Sequence, residues 1–205
     1  MQVFDAASLS DGACEEILSF LRAGGVIGFP TDTAYGLGAD PFNEQAVRSI
    51  FEIKGRAEDK PILLLVDSID RAQSVAVLSE TALVLARRFW PGPLTMILPA
   101  RPGVPSLVSA GTGTMGIRWG NAPFAQRVIS AMGSPITATS ANRSGMPSAI
   151  TAEEVHAQLQ DRLEVLVDGG RLPSRGGSTV LDLTVSPAKI LRRGPLSAAE
   201  LGIGQ

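Results

Sequence analysis

The stretch AGGVIGFPTDTAYGLG, residues 23–38, contains the transition that decides the fold class. Two consecutive glycines end a predicted helix over residues 11–23. The apolar run 26–29 then predicts a buried strand. A proline, two threonines, an aspartate and the only tyrosine of the chain follow, which is more than a plain turn requires. The stretch therefore predicts a helix, a strand and a polar loop with a function at the strand end.

The same succession of helix, strand and polar loop continues along the chain. Asn43 and Asn121 are candidate helix N-caps, and Thr151 with Glu154 matches a capping box. Further helices are predicted over residues 43–54, 79–90 and 121–133, and one starts at residue 151. Further strands are predicted over residues 61–66, 94–98, 115–119, 136–139, 164–168, 178–183 and 189–192.

This order of elements predicts an α/β fold: a single domain over residues 1–205, with its core at about 10–195. Helices and strands alternate, but not strictly, which favours one twisted, mixed parallel and antiparallel sheet with flanking helices. In such sheets, ligands bind where the loops leave the strand ends.

The amino-acid composition argues against several classes of protein. A net charge of −2 gives no global basic signature for nucleic acid. Cys14 is the single cysteine, so a reducing, cytoplasmic setting is expected, with Cys14 as a packing residue. His156 is the only histidine, which argues against a zinc site or a Ser-His-Asp triad. Neither a signal peptide nor a membrane span is expected.

The segment KGRAEDK, residues 54–60, holds two of the three lysines. Basic residues at a helix end complement its dipole, which is the simplest interpretation. The segment also suits a phosphate clamp, because Arg56 offers a planar set of donors and Lys54 a compact charge. A P-loop motif is absent, and GTGTMG at 111–116 precedes a strand instead of opening a helix, which argues against a dinucleotide fold.

Other polar clusters also follow predicted strands. TATSANRSG at 137–145, RGGST at 175–179 and ILRRG at 190–194 are typical either of plain loops or of a charged ligand site. Arg118 lies in an apolar strand and needs a partner or a ligand. Without a nucleophile–base pair or a metal cluster, the sequence predicts an enzyme that handles phosphates or nucleotides by positioning and electrostatics.

Taken in series, FPTDTAYGLG, KGRAEDKP, FWPGPLT, MGIR, TATSAN, GGSTVLD and ILRRG resemble the YrdC/TsaC family of threonylcarbamoyl-AMP synthases. The motifs run in family order from residue 29 to residue 194. The resemblance implies a twisted α/β sheet around a concave positive cavity. It implies synthesis of L-threonylcarbamoyladenylate and pyrophosphate from L-threonine, bicarbonate or CO2, and ATP. A downstream complex would transfer the threonylcarbamoyl group to the adenosine next to the anticodon of tRNA.

Position by position, the resemblance also implies site residues. The threonine site would consist of Thr33, Tyr35, Thr114, Arg118, Ser140 and Ser178, with Arg118 on the carboxylate. The ATP site would consist of Lys54, Arg56, Lys60, Ala138 through its backbone, Asn142, Ser148 and Arg192. Lys54 and Arg56 would be catalytic and neutralise charge at the phosphates. Mg²⁺ would bridge the phosphates with few protein ligands, so no protein metal site is expected.

The chain departs from the family pattern at some positions. Ala34 replaces a common valine, Lys60 a common asparagine, and Leu65 a histidine of some relatives. The extra C-terminal domain of longer relatives is not expected. Asp32 has no implied role, and we expect it to brace its loop by hydrogen bonds to nearby backbone amides.

Two other functions remain open from the sequence. An RNA-binding member of the family without synthase activity would bind RNA with a steep salt dependence and no need for ATP. A carbamoyl-phosphate-handling domain is weaker, because related proteins carry zinc and acylphosphatase modules that this chain lacks.

Overall fold

The computed structural model describes residues 1–173 and 176–203, so Arg175 of the predicted 175–179 loop lies outside it. In these ranges the strands are β1 Gln2–Asp5, β2 Ile27–Phe29, β3 Gly36–Gly38, β4 Leu64–Leu65, β5 Leu94–Pro99, β6 Thr114–Arg118, β7 Ile136–Thr137, β8 Thr139–Ser140, β9 Val165–Asp168, β10 Thr179–Asp182 and β11 Lys189–Arg192. The helices are α1 Asp11–Arg22, α2 Glu44–Lys54, α3 Ile69–Val75, α4 Glu80–Phe89, α5 Ser106–Ser109, α6 Pro123–Met132 and α7 Ala152–Leu159.

Most helices begin at a residue whose side chain caps the first turn. Asn43 accepts from the Ala46 N–H at the start of α2, and Gly55 ends that helix with a left-handed φ of 58°. Thr151 caps α7 as predicted. The predicted Asn121 cap is wrong, because α6 begins at Pro123 after Ala122 without a side-chain cap. Proline replaces the cap because its fixed φ suits the first helical turn.

The α/β fold with mixed strand directions is confirmed, but the strands form two sheets instead of one. One sheet has the order β1-β9-β2-β3-β8, and the other has the order β11-β10-β5-β6-β4-β7. Both mix parallel and antiparallel pairs. The order therefore places the quoted stretch, β2 to β3, in a different sheet from Arg118.

The predicted strand 136–139 is the place where the two sheets join. β7 pairs with β4 in the six-stranded sheet, and β8 pairs with β3 in the five-stranded sheet. Between them, the Ala138 N–H donates to Leu63 O at 2.8 Å. The backbone thus changes partner within four residues, so a single continuous strand was the wrong prediction.

Other boundaries also differ from the prediction. In the apolar run 61–66 only Leu64–Leu65 form a strand, β4, which lies between β6 and β7. β1, β3, α3 and α5 were not predicted. β1 and the buried Leu201 lie outside residues 10–195.

Two groups of buried side chains form the core. Cys14, Ile17, Leu18 and Leu21 cover one face of α1 and pack in the smaller group, which agrees with the predicted packing role of Cys14. Within the described residues, every helix is too short or too polar to cross a bilayer.

Candidate active site

A cavity of about 320 Å³ opens between the two sheets, on the loop between β2 and β3. This volume lies at the lower end of ordinary small-molecule sites. Nine predicted site residues line it: Thr33, Tyr35, Arg56, Arg118, Ala138, Ser140, Ser148, Ser178 and Arg192. The structure therefore brings together residues from six separate segments of the chain.

The loop after β2 is braced by Thr31. Thr31 Oγ1 donates to Ala34 O at 2.6 Å and accepts the Thr33 and Ala34 N–H groups at 3.2 and 3.3 Å. Thr33 and Ala34 are thereby held at the cavity wall. The bracing of backbone amides that we had expected of Asp32 is thus provided by the hydroxyl of its neighbour Thr31.

Asp32 instead forms an ion pair with Arg118, 86 residues away. Its Oδ2 lies 2.5 Å from Arg118 Nη2 and accepts the Asn121 N–H at 3.3 Å. Its Oδ1 is buried without a hydrogen-bond partner among the described residues. The expectation of local bracing is therefore wrong, and the charge in the apolar strand has the partner that it needed.

Arg118 is fixed on several sides. Besides Asp32, its Nε donates to Gly92 O at 3.0 Å and its Nη1 to Thr33 Oγ1 at 3.2 Å. Burial lowers the pKa of Arg118, and the Asp32 charge opposes this effect. Of its five N–H groups, two are left for a ligand in the described part of the chain.

Ser178 and Arg192 form a second polar group in the cavity. Ser178 Oγ lies 2.6 Å from Thr95 Oγ1 and accepts from Arg192 Nη2 at 3.0 Å. Arg192 Nε also donates to Ser178 O. Burial lowers the pKa of Arg192, whose charge in turn lowers that of Arg118. Arg192, predicted for ATP, thus lies beside Ser178, predicted for threonine.

Arg56 lies at the cavity wall, next to β8. Its Nη2 donates to Pro61 O at 2.8 Å and its Nη1 to Thr139 Oγ1 at 3.3 Å. Its Nε is buried without a hydrogen-bond partner in the described structure. Burial lowers the pKa of Arg56. The guanidinium is therefore oriented, and part of its donor capacity is unused.

Lys54 lies behind the wall, and only 3% of its surface is exposed. Its Nζ donates to Asn142 O at 2.8 Å and also to Ser140 O. Burial and, to a lesser degree, the Arg56 charge lower the pKa of Lys54 to about 7. Lys54 therefore connects the end of α2 to the loop after β8.

Tyr35 connects the quoted stretch to β9. Its hydroxyl lies 2.8 Å from Gly170 O and 3.0 Å from Asp168 Oδ1, and it accepts the Gly169 N–H. The side chain is fully buried, and burial raises its pKa. Its hydroxyl is used by the protein, so Tyr35 offers no free polar side-chain group to the cavity that it lines.

Three predicted residues besides Lys54 do not reach the wall. Lys60 is exposed in the loop before β4. Thr114 lies on the same strand face as Gly116 and Arg118, but its hydroxyl pairs with Thr112. Asn142 uses its amide to hold Arg143 O and Met146 O, and its buried Oδ1 has no described partner. Their ligand contacts remain predictions.

Sequence reasoning missed several polar groups of the site. Thr95, Thr139 and Thr31 line the cavity, and Asp32 lies behind it. Thr95 sits in an apolar strand, LTMILP. A buried hydroxyl there needs a partner, and this was the available signal.

The cavity is cationic. Arg56, Arg118 and Arg192 line it, whereas its described lining residues include no carboxylate. No cluster of three or more His, Cys, Asp or Glu that could hold a metal occurs within residues 1–173 and 176–203. The wall thus suits anionic ligands rich in oxygen and does not offer the carboxylates that Mg²⁺ prefers.

Comparisons with known proteins agree with this picture. The Sua5/YciO/YrdC family model, described as "Telomere recombination", matches residues 19–194. The chain is 41% identical to threonylcarbamoyl-AMP synthase of Pyrococcus abyssi, over 91% of this chain and 56% of that protein. It is 38% identical to the Bacillus subtilis enzyme, over 98% of this chain and 59% of the relative. It is 35% identical to the Vibrio campbellii enzyme, over 88% of this chain and 98% of that relative.

Among solved structures, P. abyssi Sua5 complexed with L-threonine superposes with a TM-score of 0.92 and 37% identity, covering 98% of this chain and 60% of that one. The chain spans less than two thirds of the length of the Pyrococcus and Bacillus relatives.

Proposed function

Because the chain belongs to the Sua5/YciO/YrdC family, we propose that it is a threonylcarbamoyl-AMP synthase, a nucleotidyltransferase. It would form L-threonylcarbamoyladenylate and pyrophosphate from L-threonine, bicarbonate or CO2, and ATP. The observation that carries this proposal is the cavity into which Arg56, Arg118 and Arg192 converge without a carboxylate among the described lining residues. Such a cavity favours a carboxylate and a polyphosphate together.

The threonine end of the cavity would be formed by Arg118, Thr33 and Ser178. The two remaining N–H groups of Arg118 suit an α-carboxylate, because a guanidinium pairs with two carboxylate oxygens at once. Thr33 and Ser178 offer hydroxyls, and Tyr35 also lines this cavity. The related P. abyssi Sua5 structure is a complex with L-threonine, which supports L-threonine as the substrate.

The ATP end would be formed by Arg56, Ser140, Ser148 and the backbone of Ala138. Arg192 lies beside Ser178 and would face the reacting phosphate. Lys54 would act from behind the wall, by holding the backbone at residues 140 and 142 and, in its protonated form, by adding a positive charge. The assignments of Lys60, Thr114 and Asn142 require movement of these side chains or contact through the backbone.

In the proposed reaction the threonine amine captures CO2 as a carbamate. The carbamate oxygen then attacks the α-phosphate of ATP, and pyrophosphate leaves on the opposite side. Arg56 and Arg192 would neutralise the developing charge, and the cavity walls would align the reactants. A protein nucleophile is not required. The lining does not fit a protein-bound Mg²⁺, so any magnesium would arrive with the phosphates.

The product would be used by a separate threonylcarbamoyl-transfer complex that acts on tRNA, and we expect the reaction to occur in the cytoplasm. The RNA-binding alternative is not favoured, because these relatives are named as synthases.

The test is pyrophosphate release from ATP, with and without L-threonine and bicarbonate. Arg56→Ala and the double variant Lys54→Ala/Arg56→Ala should lose at least about tenfold in rate, since each removes charge stabilisation at the phosphates. Arg48→Ala is the matched control, because Arg48 lies on the same helix as Lys54 and pairs with Glu58 outside the cavity. Wild-type protein without threonine-dependent release would refute the reaction, and full activity of the double variant would refute the phosphate roles.

A further inference from the structure

Asp32 lies beside the cavity and has no role in the function proposed above. Its ion pair with Arg118 is largely shielded from solvent, with 16% and 6% of the two side chains exposed. Truncating one member of such a pair leaves the other charge buried and unpaired. The arrangement is therefore one in which each ion depends on the other.

Asp32 approaches Arg118 from outside the cavity. Arg118 lines the cavity, whereas Asp32 does not. Gly92 O holds Nε and Asp32 holds Nη2, while Nη1 is directed at Thr33 on the wall. A guanidinium is planar and rigid, so fixing two nitrogens fixes the direction of the third. Asp32 thus determines where the free N–H groups of Arg118 point.

The backbone around Asp32 leaves little room for another arrangement. A Cβ on Gly120 would lie 3.0 Å from Asp32 Oδ1 and 3.6 Å from Arg118 Nε. Oδ1 is buried and without a described partner, which is an unfavourable position for a carboxylate oxygen unless a cation compensates. Loop bracing does not explain this arrangement, since Thr31 already braces the loop.

We propose that Asp32 is a positioning residue for the threonine carboxylate. Asp32 holds the Arg118 guanidinium with its free donors towards the cavity, so that Arg118 bridges Asp32 on one side and the α-carboxylate of the substrate on the other. This inference rests on the proposed function, because it requires an amino-acid carboxylate at Arg118.

The test is calorimetric binding of L-threonine and of L-threoninamide, which lacks the carboxylate charge, to the full chain. Asp32→Asn keeps the shape and removes the charge. This variant should weaken the binding of L-threonine about tenfold or more, as expected when a hydrogen bond between charged groups loses its geometry. The binding of L-threoninamide should be weakened much less, so the affinity for L-threonine relative to that for L-threoninamide should fall. Asp40→Asn, which removes a carboxylate that accepts the Phe42 N–H outside the cavity, is the matched control.

The outcomes separate the two proposals. Wild-type protein that does not bind L-threonine would refute the proposed function and the role of Asp32 with it. Wild-type binding with an unchanged Asp32→Asn variant would refute only the role of Asp32. Equal losses for both ligands would show a general loosening of the loop and would also overturn it. If Asp32→Asn does not fold, Asp32→Ser, which also removes the unpartnered oxygen, replaces it with the same expected outcomes.

Discussion

Burial of Lys54 makes a quantitative prediction about stability and pH. The pKa of Lys54 falls from 10.5 to about 7, because folding removes the ammonium from water. Between these two values the unfolded chain binds a proton that the folded chain has largely lost. The free energy of unfolding should therefore rise with pH in this window, and Lys54 adds no slope well below pH 7.

The size of the effect follows from the same two values. One unit of pH with a full proton difference corresponds to about 1.4 kcal/mol. Integrated from pH 7 to pH 9, where the folded protein goes from half protonated to nearly deprotonated, the gain is about 2 kcal/mol. Titration of Tyr35 adds little to the pH dependence in this range, because burial raises its pKa above the ordinary value of 10.0.

The assay is urea unfolding at pH 7, 8 and 9 at constant ionic strength, with wild type and Lys54→Met compared. Lys54→Met keeps the approximate length of the side chain and removes the titrating group. The rise in its free energy of unfolding from pH 7 to pH 9 should therefore be much smaller than in wild type. Lys189→Met, which changes an exposed lysine on β11, should keep the wild-type rise. An equal gain in Lys54→Met and wild type would refute the reasoning, since the two carbonyl acceptors would then hold the proton despite burial.

Two further substitutions test other contacts. Tyr35→Phe removes the hydroxyl that joins the quoted stretch to residues 168–170 and should destabilise the fold by about 1–3 kcal/mol in urea unfolding; a change below about 0.5 kcal/mol would contradict the importance of this contact. Gly177→Ala introduces a Cβ at φ 69°, 2.9 Å from Arg192 Nη2, and should lower pyrophosphate release about tenfold. Gly103→Ala is the control, because Gly103 has a φ of 95° but open space around it. This variant should carry a similar backbone strain of about 1 kcal/mol and keep its activity. Equal activities in the two variants would argue against a role for Arg192.

Periodicity and glycine signals predicted most elements, because long amphipathic helices and apolar strands have strong patterns. The failures are short elements. β3 reads Gly-Leu-Gly, which has little strand preference, and its pairing with β2 and β8 comes from tertiary contacts. The division into two sheets depends on one change of partner at Ala138, for which a sequence contains no local signal.

The site shows the same limit. Strand-exit polarity marked several polar segments as a candidate ligand site, and the family resemblance implied nine of the lining residues. Neither identified which partner each charge takes, since Asp32 and Arg118 are 86 positions apart. Likewise, Lys54 and Arg56 are neighbours in one motif, yet one lies behind the wall and the other on it, because Lys54 belongs to the buried face of α2.

The change of sheet at Ala138 has a mechanical consequence. Thr33 and Ser140 belong to segments of the five-stranded sheet, and Arg118 and Ser178 to segments of the six-stranded sheet. The cavity is therefore lined by residues of two sheets that are hydrogen-bonded separately. A ligand held by residues of both sheets acts as a cross-link between the sheets. Occupancy of the site should then slow the amide hydrogen exchange of β3 and β6 together, although these strands share no ladder.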